Sequence, residues 1–239
     1  MSRSIRLLTG LVAGLGVVGW AHAQVTNGTF ETPPQPAPPF GFSAYSIVVP
    51  DTVLLPGWTV VPGAGVNAFD QNVNLIRSDG SSKQGAVTTT QWIDLTGGRD
   101  TITGGVFGNG LTQTLNLTPG QPYQLSYYAG SLFAGPYTHD GIVEVRLNGN
   151  LVSTGLAPAP VSPLGYLTQW YPFSYGFTPT DAVNTLTFTA LRPVGFAGSA
   201  VYAGLDDVSV TAVPEPSAYL LALAGLGLMG AAVKRRRMR

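Results

Sequence analysis

Hydrophobic and polar positions alternate along most of the chain between residues 25 and 212. In the segment IVEVRLN, Val143, Val145 and Leu147 lie on one face, and the charged Glu144 and Arg146 lie on the other. A period of two is typical of half-buried β-strands. No segment of useful length in this region has the period of an amphipathic helix.

Turn-forming residues separate these strand-like segments. Asn148-Gly149 follows IVEVRL and precedes NLVST, which predicts a tight hairpin. Pro119-Gly120 separates LTQTLNLT from YQLSYYAG, while FSYGFTPT precedes TLTFTAL and LDDVSVT ends the region. Short strands rich in Thr, Val and Tyr, joined by Gly, Pro and Asn, predict an all-β sandwich. We expect residues 24–212 to form a single domain of this class.

The first 23 residues have a different pattern. Arg3 and Arg6 precede an apolar run from about Leu7 to Trp20, and the small-x-small triplet Ala21-His22-Ala23 follows it. This order is typical of a secretory signal peptide, so we predict export and cleavage after Ala23. A retained N-terminal membrane helix is the alternative, but its apolar run would be short.

The last 27 residues, VPEPSAYLLALAGLGLMGAAVKRRRMR, contain three successive parts. Pro214-Glu215-Pro216 precedes the uncharged residues 217–233, and a basic cluster follows. A helix over residues 217–233 would be about 25 Å long at about 1.5 Å per residue. That length is close to the bilayer core of about 30 Å, and the basic cluster would stay cytoplasmic. We therefore predict a C-terminal transmembrane helix that leaves residues 24–212 outside the inner membrane.

This tail resembles the PEP-CTERM sorting signal of exopolysaccharide-producing Gram-negative bacteria. The resemblance covers residues 213–239 and rests on Pro214, Glu215, Pro216, Arg235, Arg236 and Arg237. It implies processing near the Pro-Glu-Pro motif by an exosortase, a membrane enzyme that removes the tail. The protein would insert transiently in the membrane through residues 217–233 and then pass to the cell surface or the extracellular matrix. An ordinary retained anchor is the alternative reading of the same tail.

Loss of both ends changes the charge of the protein. The whole chain has 12 basic and 12 acidic residues, whereas residues 24–212 have 5 basic and 11 acidic residues. A net charge near −6 argues against nucleic acid or anionic lipid as a partner, and it fits a cation or an uncharged ligand. The chain has no cysteine, so the exported domain stands without disulfide bonds.

Six motifs in the mature region occur in a recognisable order. They are VTNGTFETP (25–33), LPGWTV (55–60), QWIDLTG (91–97), YQLSYYAG (123–130), WYPFSYGFT (170–178) and LDDVSV (205–210). Together they resemble secreted galactose-binding-like jelly rolls, including choice-of-anchor domains and carbohydrate-binding modules of families 4, 9 and 22. The resemblance implies a jelly-roll β-sandwich, a structural calcium ion and, in some members, binding of polysaccharide.

Two acidic residues are candidate calcium ligands. Strict alternation in LDDVSV places Asp206 on the same face as Val208 and Val210, so Asp206 would point into the core. A buried carboxylate needs a partner, and a hard cation with oxygen ligands would supply one. In the resembled modules the matching ligands are Glu31, from the N-x-x-F-E opening, and Asp206. The alternative is a hydrated Asp206 at a strand edge.

The chain offers little chemistry for catalysis. His139 is the only histidine outside the predicted signal peptide, and neither an HExxH nor a G-x-S-x-G motif is present. A two-carboxylate glycosidase stays open because it needs only two acidic residues. Phe133, Tyr137 and Tyr202 occur in Gly-rich connections, so we expect them at a ligand-binding rim in the loops 131–141 and 192–204.

These features predict an exported, non-catalytic cell-surface or extracellular-matrix protein, with an extracellular polysaccharide as its candidate ligand. A structural spacer without a small ligand and a glycan-active enzyme are the alternatives.

Overall fold

The computed structural model describes residues 25–38, 42–48, 53–63, 72–78, 87, 90–96, 107–134, 137–138, 140–158, 167–191, 203–214, 223–229 and 234–235. One compact unit spans His22–Val213. Its described residues form twelve strands and contain no helix. The predicted signal peptide, residues 1–23, lies outside the described residues.

The strands follow the segments in which hydrophobic and polar residues alternate. In chain order they are β1 (Phe42–Val48), β2 (Thr59–Val61), β3 (Asn72–Ser78), β4 (Gln91–Asp94), β5 (Phe107–Asn116), β6 (Tyr123–Ala134), β7 (Tyr137–Thr138), β8 (Gly141–Leu147), β9 (Asn150–Ala157), β10 (Leu167–Phe177), β11 (Val183–Leu191) and β12 (Gly204–Ala212).

The twelve strands form two antiparallel sheets. The seven-stranded sheet has the order β1-β3-β4-β12-β6-β10, with β7 paired to β6, and the five-stranded sheet has the order β2-β5-β11-β8-β9. Most consecutive strands, for example β5 and β6 or β11 and β12, belong to different sheets. The chain therefore passes repeatedly from one sheet to the other. The predicted all-β jelly-roll sandwich is confirmed.

The predicted hairpin joins β8 to β9. Asn148 and Gly149 both have positive φ angles, 51° and 80°, as a type I′ turn requires. Val143 and Val145 are fully buried, as their alternation predicts. Glu144, which points away from the core, is also buried, and the Arg146 Nε donates to its Oε1 over 2.6 Å.

Aromatic side chains fill the space between the sheets. The ring centroid of Trp58 lies 5.7 Å from that of Phe30 and 6.0 Å from that of Phe188. The ring centroids of Phe188 and Tyr127 are 5.4 Å apart. The Trp58 indole N–H donates to the Asn27 carbonyl over 3.1 Å. The N-terminal segment is therefore part of the core.

A second aromatic pair lies on the other face of the seven-stranded sheet. Trp92 and Trp170 meet edge to face, with ring centroids 5.5 Å apart and planes at 82°. The Trp170 ring covers Gly130, where a Cβ atom would lie only 2.6 Å from it, and Gly204, where the distance would be 2.9 Å. Glycine at these two positions lets the indole lie flat on the strands.

The C-terminal region is described separately, at residues 223–229 and 234–235, which are helical. The predicted transmembrane helix, residues 217–233, thus lies partly outside the described residues. Within the part of the chain that the structure describes, no helix is both long and apolar enough to span a bilayer.

Candidate functional site

The N-terminal segment crosses the last strand of the domain and holds Glu31 in place. The Val208 N–H donates to the Gly28 carbonyl over 2.9 Å. The Asn27 side chain bridges to Thr32, since its Nδ2 donates to the Thr32 carbonyl over 2.7 Å and its Oδ1 accepts from the Thr32 N–H over 3.1 Å. These bonds close the turn that ends at Glu31.

The Glu31 carboxylate binds the start of β4. Its Oε1 accepts from the backbone N–H groups of Thr90 and Gln91 at 2.9 and 2.5 Å, and its Oε2 accepts from the Thr90 hydroxyl at 3.0 Å. Arg77 Nη1 lies 3.8 Å from Oε2. Several donors of the protein therefore fix the position of the Glu31 carboxylate.

A β-bulge sets the direction of Asp206, and the strict alternation expected for LDDVSV is wrong. Asp206 pairs with Tyr128, but the register shifts before Ser209, and Asp207 adopts a φ of 48°. The extra residue puts Asp206 on the face of Tyr128, while Val208 returns to the core. The sequence pattern could not show this because an alternating segment with one inserted residue still looks like a strand.

Asp206 is nevertheless fully buried, at 0% exposure. Its Oδ2 accepts from the Val87 N–H over 2.9 Å, and its Oδ1 accepts from the Asp207 N–H over 2.8 Å. Burial is the largest cause that raises the pKa of Asp206 to about 8; the hydrogen bonds from Val87 and Asp207 oppose this rise, and the negative charges of Asp207 and Glu31 add to it. Among the described residues no cationic side chain bonds to Asp206.

The structure thus brings Glu31 and Asp206 from opposite ends of the domain into electrostatic contact. Backbone N–H groups close in sequence bind both carboxylates, since Val87 donates to Asp206 and Thr90 and Gln91 donate to Glu31. Two carboxylates, one of them buried, are the type of oxygen donor that Ca²⁺ takes. Among the described residues, no group of three or more acidic, His or Cys side chains is placed to hold a metal ion.

The expected ligand rim is only partly described. Phe133 belongs to β6 and Tyr137 to β7, and the two strands pair through Phe133 with Thr138 and Ala134 with Tyr137. These residues therefore form a hairpin rather than the expected loop. Their side chains, and the whole of Tyr202, lie outside the described residues.

A groove that sequence reasoning missed lies at the other end of β6. It has a volume of about 620 Å³. Its walls come from the start of β6, the β8–β9 hairpin and the end of β10, with Tyr123, Tyr175 and Phe177 among the lining side chains. The alternating aromatic residues of WYPFSYGFT were the available signal, but a strand pattern does not tell which rings border an opening.

The C-terminal residues match a known protein-family model. Residues 212–237 match the PEP-CTERM protein-sorting motif. The chain carries a PEP-CTERM sorting motif. The match includes all six predicted tail residues; Pro214 and Arg235 are described and exposed, whereas Glu215, Pro216, Arg236 and Arg237, like Ala23, lie outside the described residues. A PEP-CTERM motif marks an exported protein that is processed by an exosortase.

Two cyclase structures share the fold of this chain at low sequence identity, and a carbohydrate-binding module also aligns with it at a lower score. An apo cyclase from Fischerella sp. is 16% identical with a TM-score of 0.52, and the match covers 81% of this chain and 97% of the cyclase. The Stig cyclase FisC from Fischerella sp. TAU is 18% identical with the same TM-score, covering 81% and 98%. TmCBM61, solved with beta-1,4-galactotriose, is 13% identical with a TM-score of 0.41, covering 80% and 99%. No curated protein matches the chain.

Proposed function

We propose that residues 24–212 form a non-catalytic cell-surface or extracellular-matrix protein that binds polysaccharide and is delivered through its PEP-CTERM tail. The observation that carries the delivery part of this proposal is the position of the motif. It begins at Ala212, the last residue of β12, and β12 pairs with β4 and β6 inside the seven-stranded sheet. Removal of the tail after residue 213 would therefore leave every described strand in place.

The proposal includes a structural calcium ion held by Glu31 and Asp206. The ion would neutralise two carboxylates whose mutual repulsion contributes to the raised pKa of Asp206. It would also join the N-terminal segment to β12, which already meet through the Val208–Gly28 hydrogen bond. Its role is stabilisation of the sandwich, because Asp206 is too deeply buried to meet a substrate.

The environment of four carboxylates, three of them buried, supports a non-catalytic role. Glu31 and Asp206 accept bonds from backbone amides, Glu144 pairs with Arg146, and Asp94 accepts from the Thr96 hydroxyl and N–H. A glycosidase needs one carboxyl group on each side of an accessible scissile bond. These four groups instead hold strands and turns together.

Polysaccharide suits the charge and the aromatic residues of the domain. The net charge near −6 of residues 24–212 favours an uncharged ligand over an anionic one. We retain Phe133, Tyr137 and Tyr202 as the proposed binding rim, since tyrosine combines a flat apolar face with a polar hydroxyl. A spacer that binds no small ligand is the competing proposal.

A binding experiment separates these possibilities. The full chain, purified in mild detergent, is applied to a glycan array and to exopolysaccharide from the producing cells. We expect retention that weakens about tenfold in Tyr137→Ala or Tyr202→Ala, the loss of about 1.4 kcal/mol of binding free energy. Absence of retention on every glycan supports the spacer, and release of shortened sugar chains supports an enzyme.

A further inference from the structure

We infer that the groove between β6, the β8–β9 hairpin and β10 is a binding site for a short stretch of neutral polysaccharide. This inference rests on the proposed polysaccharide binding and gives that binding a location. The groove borders Tyr123, the first residue of β6, whereas Phe133 of the proposed rim lies near the other end of the strand. Ten residues of extended strand separate them by about 33 Å, so the two regions are different sites.

Aromatic rings form one side of the groove. The Tyr123 and Phe177 rings are stacked with centroids 5.9 Å apart, and the Phe177 and Tyr175 rings follow with centroids 6.5 Å apart and planes only 13° apart. Tyr123 is buried, whereas Tyr175 and Phe177 are half-buried. These three neighbouring rings make part of the groove wall aromatic, and the C–H face of a pyranose ring packs favourably against aromatic side chains.

Amide side chains also line the groove. The Asn148 Nδ2 donates to the Asn184 Oδ1 over 2.9 Å, and the Asn148 Oδ1 accepts from the Thr185 N–H over 2.8 Å. The Asn184 Nδ2 donates to the Asp181 carbonyl over 2.7 Å, so both amides are fixed before a ligand binds. Asn150 lies exposed beside them at the start of β9. Amides donate and accept at once, as vicinal sugar hydroxyls require.

The uncharged lining of the groove indicates which class of ligand fits it. None of the fifteen lining residues, all in the described part of the chain, is acidic or basic. An anionic glycan or a phosphate would need Arg or Lys, and a metal ion would need carboxylates. The volume of about 620 Å³ lies within the range of roughly 300–1,000 Å³ that small-ligand sites occupy. A neutral oligosaccharide fits the aromatic rings, the amide side chains and the volume of the groove.

The residue before the sorting tail completes the groove. Val213 lines it, its N–H donates to the Pro122 carbonyl over 2.9 Å, and its carbonyl accepts from the Gln121 Nε2 over 2.8 Å. The groove therefore persists after processing at Pro214 or later.

The test measures binding of neutral oligosaccharides to the full chain in mild detergent. Calorimetry with cellohexaose, xylohexaose and mannohexaose identifies a binding sugar, and oligogalacturonate serves as the anionic comparison. We expect Tyr175→Ala and Asn150→Ala each to raise the Kd about tenfold, and the anionic sugar to bind more weakly. The matched control is Tyr171→Ala, because Tyr171 lies on the same strand and face but outside the groove.

Three outcomes overturn the inference, and only the second of them also contradicts the proposed function. If binding is lost in Tyr137→Ala or Tyr202→Ala but unchanged in Tyr175→Ala and Asn150→Ala, the protein binds polysaccharide at the rim and not in this groove. If no neutral sugar and no exopolysaccharide binds, both proposals fail. Equal losses in Tyr171→Ala and Tyr175→Ala would show that general destabilisation, and not the groove, causes the effect. Asn150 is exposed, so its replacement tests the groove without disturbing the core.

Discussion

Removal of calcium should expose a pH dependence of stability that comes from Asp206. Burial is the largest cause that raises the pKa of this carboxyl from 3.8 to about 8. The unfolded chain ionises Asp206 near its ordinary pKa, whereas the metal-free fold keeps the proton until about pH 8. The stabilising contribution of this group is therefore complete below about pH 4 and is lost as the pH rises to about 8.

The size of the effect follows from the window between the two pKa values. Within it, each pH unit removes about 1.4 kcal/mol from the free energy of unfolding. Between pH 5 and pH 7 the loss is about 3 kcal/mol, or roughly 5–10 °C in the melting temperature of a domain of this size. Calcium at a hundredfold excess over its Kd should add about 2.7 kcal/mol at pH 7.

The assay is urea unfolding of the full chain in detergent between pH 5 and pH 8, with chelator or with calcium. Asp206→Asn is the control, since it cannot ionise and keeps the shape of the side chain. In chelator, we expect the variant to lose the decrease of its free energy of unfolding with rising pH. We also expect calcium not to stabilise it. If the free energy of unfolding falls equally with pH in chelator for the unmodified protein and for Asp206→Asn, Asp206 is not protonated in the folded state. An unchanged unfolding curve on addition of calcium would refute the metal site.

Three further predictions concern the same fold and tail. Glu31→Gln should lower the calcium affinity at least about tenfold in calorimetry, and an unchanged affinity would exclude Glu31 as a ligand. Because the negative charge of Glu31 raises the pKa of Asp206, the same variant should shift the midpoint of the pH-dependent loss of stability in chelator to lower pH. Gly130→Ala should lower the free energy of unfolding by about 1–3 kcal/mol because the new Cβ would lie 2.6 Å from Trp170. Gly176→Ala is the control and should lower it less, since the nearest atom to its Cβ would be 3.7 Å away. Equal melting temperatures of the two variants would contradict this packing. Replacing residues 214–216 by alanine should retain an unprocessed form in the membrane fraction on immunoblots, and normal release would contradict the role of the motif.

The strands were predictable where side-chain alternation and turn chemistry agree. Asn148-Gly149 predicted the β8–β9 hairpin, and both residues adopt the positive φ angles that the turn needs. Val143 and Val145 likewise lie in the core. Such features depend on residues close in sequence, so the local pattern contains the information.

The candidate site depends on contacts between residues far apart in sequence, and these were less predictable. The bulge at Asp207 reverses the face of Asp206, and alternation alone gave the wrong direction. The hydrogen bonds of Glu31 to Thr90 and Gln91 depend on how the N-terminal segment packs against β4. The proximity of Glu31 and Asp206 was predicted instead from the resemblance to known modules, and the structure brings the two carboxylates together.

Mass spectrometry of the C-terminus tests the account most directly. The protein is recovered from the cell surface and the medium, digested, and searched for its terminal peptides. Processing of both ends should give a C-terminus near Pro214-Glu215-Pro216 and a mature N-terminus at Gln24, with residues 217–239 missing from the released protein. Released protein that still ends at Arg239 would contradict it.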